Sequence, residues 1–154
     1  MSDPFAAPTV IVERLAHYPV DTLPVHATTG SAGLDLHAAV EATLTLSPCD
    51  RAAVPTGLVL AIPAGFEGQV RARSGWAHQF GLALTNGVGT IDADYRGEVR
   101  VLVVNLGRQD VRIERGDRIA QLVIAPVVRA QFVEGAVDAT SRGAGGFGST
   151  GLRA

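Results

Sequence analysis

The sequence predicts an all-β fold, a jelly-roll-like β-barrel with one short helix and a flexible C-terminal tail. Short runs rich in β-branched and apolar residues recur between turn residues along most of the chain, which is the all-β pattern. Only residues 74–80 look helical, and residues 141–152 are rich in glycine. With 154 residues, 47% of them hydrophobic, the chain is long enough for one domain with a packed core and too short for two.

The strands are predicted from β-rich runs, and their ends from turn residues. The runs are residues 10–14, 42–46, 57–62, 68–73, 81–85, 98–105, 111–113 and 119–128. The punctuating turn residues are Pro48, Pro55, Pro63 with Gly65, Asn86-Gly87, Gly107 and Arg115-Gly116-Asp117. Residues 98–105 are almost wholly apolar after Arg100, which predicts a strand buried on both faces.

The glycine-rich tail matches two phosphate-binding patterns without fitting either. Gly143, Gly145 and Gly148 satisfy G-x-G-x-x-G, and residues 143–150 resemble a Walker A loop with Ser149 where the lysine belongs. Both motifs require a helix after the loop, whereas only residues 151–154 follow. We therefore expect a β domain over residues 1–138 and a mobile tail over residues 139–154 that closes over a site built elsewhere.

Composition excludes several kinds of chemistry. The net charge is −2 and the pI is near 6.0, so no general attraction to nucleic acid or to an anionic membrane is expected. All 13 basic residues are Arg, which excludes a P-loop lysine and a Schiff-base lysine.

The single Cys49 cannot form an internal disulfide, and the first residues do not resemble a signal peptide, so we expect a cytoplasmic protein. The four histidines lack zinc-ligand spacing, and any metal should be a hard ion such as Mg²⁺.

The densest polar cluster is the segment NGVGTIDADYRGE, residues 86–98. Asn86-Gly87 is a strong hairpin signal, and exposed amides in such a hairpin can recognise the edge of a planar ring. Asp92 follows at a strand end, where a carboxylate can orient a water for attack on phosphorus. A plain turn and a solvated Asp are the structural alternatives for these two features.

A second cluster combines arginines with a hydroxyl. An alternating strand places Arg71 and Arg73 on one face, and Ser74-Gly75 adds a hydroxyl and backbone amides, which together suit an anion. The alternative is that Ser74 only caps the helix. The segments AGLDL, residues 32–36, and GDRIAQ, residues 116–121, repeat the mixture of glycine and charge, and each by itself has a structural explanation.

Taken together and in order, these segments and the tail resemble the five motifs of the trimeric dUTPase family, over residues 32–151. The resemblance implies the jelly-roll-like β-clip fold of that family and a homotrimer with active sites shared at subunit interfaces. It also implies Mg²⁺-assisted hydrolysis of dUTP to dUMP and pyrophosphate, which limits uracil incorporation into DNA and supplies dUMP for dTMP synthesis. Trp76 and Val88 depart from the residues usual in the family.

The resemblance also implies roles for individual residues. Asp92 would orient the attacking water, Ser74 would lie near the α,β-bridging oxygen, and Gln121 would reach the phosphates. Asp35 would hold Mg²⁺ through water, while Asp117 and Arg118 would form a structural pair. Tyr95 would pack against the deoxyribose, Arg142 would meet the γ-phosphate and Phe147 would stack on uracil. The full set of implied substrate contacts is Arg73, Ser74, Gly75, Asn86, Gly89, Thr90, Ile91, Asp92, Tyr95, Gln121, Arg142, Phe147, Gly148, Ser149 and Thr150.

Two alternative functions follow from the same resemblance. dCTP deaminases share the fold and the Ile-Asp signature, but they carry a catalytic Glu ten residues after that Asp. Here Leu102 occupies that position, and an apolar side chain cannot transfer a proton. A non-catalytic nucleotide-binding module is the other alternative, and it would be expected to lack Asp92, Ser74 or the tail arginine, which are all present.

Overall fold

A computed structural model describes residues 7–146, and within that range the fold is all-β with one short helix. The elements are β1 (Ile11–Arg14), β2 (Leu34–His37), β3 (Leu44–Leu46), β4 (Arg51–Ala61), β5 (Phe66–Ala72), α1 (Ser74–Phe80), β6 (Leu82–Leu84), β7 (Gly89–Ile91), β8 (Glu98–Asn105), β9 (Val111–Ile113) and β10 (Arg118–Pro126). The predicted fold class is therefore confirmed, and the helix has the predicted bounds.

The strands form open sheets and not a closed barrel. Two four-stranded sheets have the orders β1-β4-β8-β6 and β2-β10-β5-β7, and β3 pairs with β9. All the pairings between these strands are antiparallel. The described architecture is compatible with the predicted jelly-roll-like fold, although the two large sheets of residues 7–146 do not join edge to edge into a closed barrel.

The core lies between the inner faces of these sheets. It consists mainly of Val, Leu and Ile side chains from alternate strand positions, which is why the β-rich runs were visible in the sequence. In β8, Val99, Val101 and Val103 are buried, whereas Arg100 and Leu102 are exposed. The prediction that residues 98–105 are buried on both faces is therefore wrong for the single chain, because the strand alternates between core and solvent.

Three further sequence predictions need correction. β2 and β7 were not predicted as strands, because each is short and carries polar or glycine residues that suggest loops. Pro55 was predicted to mark a turn, but it lies inside β4. The register of β4 against β8 shifts between Pro55 and Val59, so the irregular ladder there accommodates a residue without an N–H group.

One buried polar side chain joins three segments of the core. Asn105 is fully buried at the end of β8, and its Nδ2 donates to the carbonyl oxygens of Leu46 and Gln109, each at 2.8 Å. Its Oδ1 accepts from the Gly107 amide at 2.9 Å. These bonds satisfy backbone polar groups in the loop after β8 and link β8 to β3.

Asn105→Ala should therefore lower the free energy of unfolding by about 2–4 kcal/mol, because it leaves buried backbone groups without partners. Urea unfolding at a fixed protein concentration measures this loss. Gln109→Ala is a matched control, because the Gln109 side chain is exposed and its bonded carbonyl belongs to the backbone. An Asn105→Ala protein as stable as the control would contradict this account.

Candidate active site

The last three residues of the AGLDL segment begin β2 and place one partly exposed carboxylate beside the cleft. Leu36 is fully buried, so the neighbouring Asp35 projects from the opposite face of the strand. Asp35 Oδ1 lies 2.9 Å from Arg73 Nη1, and Asp35 Oδ2 lies 3.4 Å from Arg118 Nη1. One carboxylate therefore holds two guanidinium groups, one from the N-cap of α1 and one from the first residue of β10.

Arg73 follows β5 directly and is the N-cap residue of α1. Its Nη1 is buried and, although it has Asp35 as a charge partner, it makes no hydrogen bond of acceptable geometry with any described residue. The Arg73 side chain is partly exposed, so the rest of its guanidinium group is suited to contact an anionic ligand. Arg71 instead bonds to Gln69 Oε1, so only one of the two predicted arginines joins Asp35.

Ser74 is the first residue of α1 and is exposed. The alternative that Ser74 is the helix cap is wrong, because Arg73 occupies the cap position and makes no side-chain capping bond. The Ser74 hydroxyl is thus not engaged as an N-cap. The next residue, Gly75, lines a cavity together with Arg73.

Gln121 lies on β10 opposite Asp35 of β2 and opposite Arg71 of β5. Its Nε2 donates to the Ala72 carbonyl at 2.9 Å, which leaves its amide oxygen directed toward Gly33. A Cβ at Gly33 would collide with that oxygen. The glycine of the AGLDL segment therefore makes room for Gln121, and this explains why the two motifs meet.

We call this surface the arginine cleft and define it by Asp35, Arg73, Arg118 and Gln121. It comprises two adjoining cavities of about 400 and 320 Å³ that share Arg73 and Arg118. Burial lowers the pKa of the nearby His37 imidazole; the Asp35 charge opposes this shift and the two arginines add to it. The cleft thus collects cationic side chains beside a histidine that favours its neutral form.

A second surface, the hairpin pocket, is formed by Asn86, Gly89, Asp92 and Tyr95. Gly87 has φ of 71° and its amide donates to the Leu84 carbonyl at 3.1 Å, so the predicted Asn-Gly turn is present. β7 then pairs with β5. Thr90 and Ile91 also line the pocket, whose volume is about 220 Å³. Asp92 is exposed at its edge, in a turn where its carbonyl accepts from the Tyr95 amide at 3.1 Å.

Tyr95 is fixed in the lining of this pocket. Its hydroxyl donates to the Glu98 carbonyl at 3.1 Å, and its ring lies so close to Gly97 that a Cβ there would overlap it. The Glu98 carboxylate is in turn fixed by His17 Nε2 at 2.7 Å and by the Gly57 amide at 2.8 Å. The N-terminal segment therefore supports the start of β8, to which Tyr95 is anchored.

The two surfaces are separate on a single chain. Among residues 7–146, the cavities of the arginine cleft and the hairpin pocket share no lining residue. Arg142 lies outside both, and its Nε donates to the Gly145 carbonyl at 2.9 Å. Phe147, Gly148, Ser149 and Thr150 lie outside the described residues.

Sequence reasoning missed two contacts at the cleft, one made by Arg118 and one made by Trp76. Arg118 was expected to pair with Asp117, but it pairs with Asp35, while Asp117 Oδ2 accepts from the Glu114 amide at 2.8 Å within a turn. Trp76 was left without a role, yet its indole Nε1 donates to the Arg118 carbonyl at 2.9 Å. The partners of both residues are distant in sequence, so no local signal identified them.

Comparison with known proteins gives the family of this chain. The family model described as dUTPase matches residues 21–151, and the chain belongs to that family. It is 52% identical to the deoxyuridine 5'-triphosphate nucleotidohydrolase of Rhizobium meliloti strain 1021, over 97% of this chain and 96% of the relative. It is 54% identical to the enzyme of the same name from Methylocella silvestris, over 100% of this chain and 96% of the relative.

Solved structures agree with the family assignment. The dUTPase of Staphylococcus bacteriophage 80alpha, determined with dUPNHPP, superposes with a TM-score of 0.82 at 28% identity, covering 94% of this chain and 99% of the phage protein. The dUTPase of phage phi11 of S. aureus superposes with a TM-score of 0.74 at 25% identity, covering 84% and 97%. Within residues 7–146, no helix has the length and apolar character needed to cross a membrane.

Glu98 generates a prediction about acid stability. Burial raises the pKa of its carboxyl, but the hydrogen bonds from His17 and Gly57, together with the charges of His17 and Arg100, outweigh burial and lower the pKa below 4.5. A lowered folded-state pKa stabilises the fold above the unfolded-state value, and this contribution is lost as pH falls through the folded-state pKa. Glu98→Gln should therefore be less stable than the wild type at pH 7, and the difference should shrink below about pH 4.5.

Thermal unfolding between pH 3 and pH 8 measures this difference. Glu41→Gln is the matched control, because Glu41 is exposed and belongs to none of the ion pairs of the described residues. A stability gap between wild type and Glu98→Gln that stays constant with pH would contradict the assigned role of the carboxylate.

Proposed function

We propose that this chain is a dUTP diphosphatase, which hydrolyses dUTP to dUMP and pyrophosphate. One observation carries the proposal: a member of the dUTPase family presents both a cationic cleft and a hairpin pocket with a carboxylate at its edge. A triphosphate requires charge neutralisation, a base requires a shaped pocket, and an attacking water requires an acceptor for its proton.

The arginine cleft would bind the phosphate chain. Arg73 offers a partly exposed guanidinium group, and Gln121 lies on β10, which pairs with the strand that Arg73 follows. Ser74 and Gly75 would contact the phosphates, with Ser74 near the bridging oxygen on which charge develops as pyrophosphate leaves. The ion pairs of Asp35 with the arginines are partly exposed, so a phosphate can compete for the guanidinium groups at small cost.

Mg²⁺ would enter as part of the substrate. Among residues 7–146, no group of three or more His, Cys, Asp and Glu side chains is arranged to hold a metal ion. This donor set fits an ion bound mainly by phosphate oxygens and waters, which is the usual preference of Mg²⁺. Asp35, the carboxylate between the arginines, would hold it through water, and the ion would neutralise charge on the phosphates.

The hairpin pocket would bind the nucleoside. Asn86 and the backbone of Gly89, Thr90 and Ile91 line it and offer hydrogen-bonding groups for the edge of uracil. Cytosine presents a different order of donors and acceptors and would leave buried polar groups unpaired. Tyr95, held over the pocket by its bond to the Glu98 carbonyl, would pack against the deoxyribose and leave no room for a 2′-hydroxyl.

Asp92 would be the general base. Its exposed carboxylate would accept a proton from a water whose oxygen bonds to the α-phosphorus. The bond between that phosphorus and the α,β-bridging oxygen breaks, and the electron pair leaves with pyrophosphate. The products are dUMP and pyrophosphate, and the proton on Asp92 passes to solvent.

The active unit would be a homotrimer with sites at the subunit interfaces. In the part of the chain that the structure describes, the arginine cleft and the hairpin pocket share no lining residue, which supports a site whose halves come from different subunits. Beyond β10, Val128, Phe132, Val133 and Val137 are each at least 87% exposed in the single chain. Such a row of apolar side chains requires a cover, and a neighbouring subunit would provide it.

The tail would complete the site as a lid. The proposed division is a β domain of residues 1–138 and a tail of residues 139–154. Arg142 is exposed, and within residues 7–146 its guanidinium makes only a local bond to Gly145, so it is accessible there for the γ-phosphate of a substrate bound to another subunit. The proposed tail contacts outside the described residues are Phe147 on uracil and Gly148, Ser149 and Thr150 on the phosphates.

In the cell this reaction would remove dUTP before it is incorporated into DNA and would supply dUMP for dTMP synthesis. We propose that it occurs in the cytoplasm, with no nucleic-acid or membrane partner. A dCTP deaminase is disfavoured because Leu102, at the position of the catalytic Glu, is an apolar residue on the outer face of β8.

The activity is tested by measuring pyrophosphate release from dUTP, dCTP, dTTP and UTP with and without Mg²⁺. Selective, Mg²⁺-dependent release from dUTP is expected, and ammonia released from dCTP would refute the proposal. Asp92→Asn should retain binding of dUTP and lose turnover by about 10²-fold or more, because amide nitrogen cannot accept the proton. Full activity of Asp92→Asn would remove Asp92 from its proposed role.

Removal of residues 139–154 tests the lid. The shortened protein should remain a folded trimer, because the described core lies upstream of residue 127, and kcat should fall severely. Size-exclusion chromatography with light scattering and steady-state kinetics measure the two properties. Arg142→Ala in the full-length chain isolates the γ-phosphate contact, and unchanged kinetics for the shortened protein would refute a closing role.

A further inference from the structure

Helix α1 has little support of its own. It is seven residues long, none of its residues is buried, and its N-cap residue makes no side-chain capping bond. Helices of this length are marginal without tertiary contacts. Trp76 packs against the hydrophobic core and donates its indole N–H to the Arg118 carbonyl at 2.9 Å. Phe80 packs on the same indole, with ring centroids 5.1 Å apart.

The bond from Trp76 closes a ring of contacts around the arginine cleft. Arg118 accepts from Trp76 through its backbone and contacts Asp35 through its guanidinium. The other oxygen of Asp35 contacts Arg73, the residue directly before α1. The ring therefore runs through Arg73, Asp35, Arg118 and Trp76 and returns to Arg73 along the helix. It borders the larger cavity of the cleft, of about 400 Å³.

We propose that Trp76 is a positioning residue for the phosphate end of the substrate. The inference rests on the proposed function and adds a residue to it. The indole sets the distance between α1, with Ser74 and Gly75, and the start of β10, with Arg118. Without the indole N–H, the Arg118 carbonyl loses a partner, and the Asp35 ion pairs are left to link Arg73 to Arg118. The positions of the Arg73 and Arg118 guanidinium groups relative to a bound phosphate chain are then less closely fixed.

This role predicts a selective defect. A ligand that uses the whole cleft, such as dUTP, should be affected, whereas dUMP lacks the β- and γ-phosphates and should not. Trp76→Phe retains an aromatic ring beside Phe80 but removes the N–H donor, and Trp76→Leu removes both. Loss of one hydrogen bond corresponds to a factor of about 3 to 10 in affinity.

Steady-state kinetics with Mg²⁺ and dUTP, and inhibition by dUMP, test this prediction. Trp76→Phe should raise KM for dUTP by about 3- to 10-fold with a smaller change in kcat, and the inhibition constant of dUMP should stay within about 2-fold. Trp76→Leu should show the larger increase in KM. Equal changes for dUTP and dUMP, or no change for either, would overturn the inference, because a purely structural role would not distinguish them.

The wild-type protein offers a second measurement that needs no substitution. Trp76 is the single tryptophan of the chain, so its emission reports directly on this wall of the cleft. Addition of α,β-imido-dUTP with Mg²⁺ should change the emission, and dUMP should leave it nearly unchanged. Identical responses to the two nucleotides would also overturn the inference.

The outcomes separate this inference from the proposed function. A wild-type protein that releases no pyrophosphate from dUTP overturns the proposed function and the role of Trp76 with it. A wild-type protein that is active, with Trp76 variants that show no difference between dUTP and dUMP, overturns the role of Trp76 only. Because Trp76→Leu can lower stability, thermal unfolding of each variant is measured first, and Trp76→Phe carries the test if the leucine variant does not fold.

Discussion

The candidate site depends on the register of β10. This strand pairs with β2 on one side and with β5 on the other, so that Gln121 faces Asp35 and Arg71 across the two ladders. Ala120 and Leu122, on either side of Gln121, are buried and hold the strand in this register. A shift of one residue would turn Gln121 toward the core and an apolar side chain toward the cleft, and burial of the apolar residues opposes such a shift.

The charges of the cleft side chains then determine how the groups brought together by this register interact. Asp35 lies between Arg73 and Arg118 and reduces the repulsion that two neighbouring guanidinium groups would otherwise have. These pairs are partly exposed and therefore weak, which is suitable for a surface that must exchange a carboxylate partner for a phosphate. Trp76 acts on the same group through the Arg118 backbone, so packing of one aromatic residue is connected to the geometry of the cations.

Much of the fold was predictable because its signals are local. The bounds of β8, the Asn86-Gly87 turn and the bounds of α1 follow from neighbouring residues, and the structure contains all three. The alternation of β8 between core and solvent was not predicted, because its run of apolar residues suggested burial on both faces. β2 and β7 were missed because four- and three-residue strands with polar or glycine residues exist only through pairing with β10 and β5. Pro55 was misassigned because its position at a register shift is a property of two strands and not of one.

For the candidate site, the sequence by itself determined the chemical groups: an arginine-based cleft without lysine, a hairpin with a carboxylate, and motifs that resemble one family. The tertiary structure decided which groups meet. It paired Arg118 with Asp35, 83 residues away, and not with its neighbour Asp117, and it attached Trp76 to Arg118 across 42 residues. Side-chain chemistry is carried by each residue, whereas contacts at such separations depend on strand register and burial, which the whole fold sets at once.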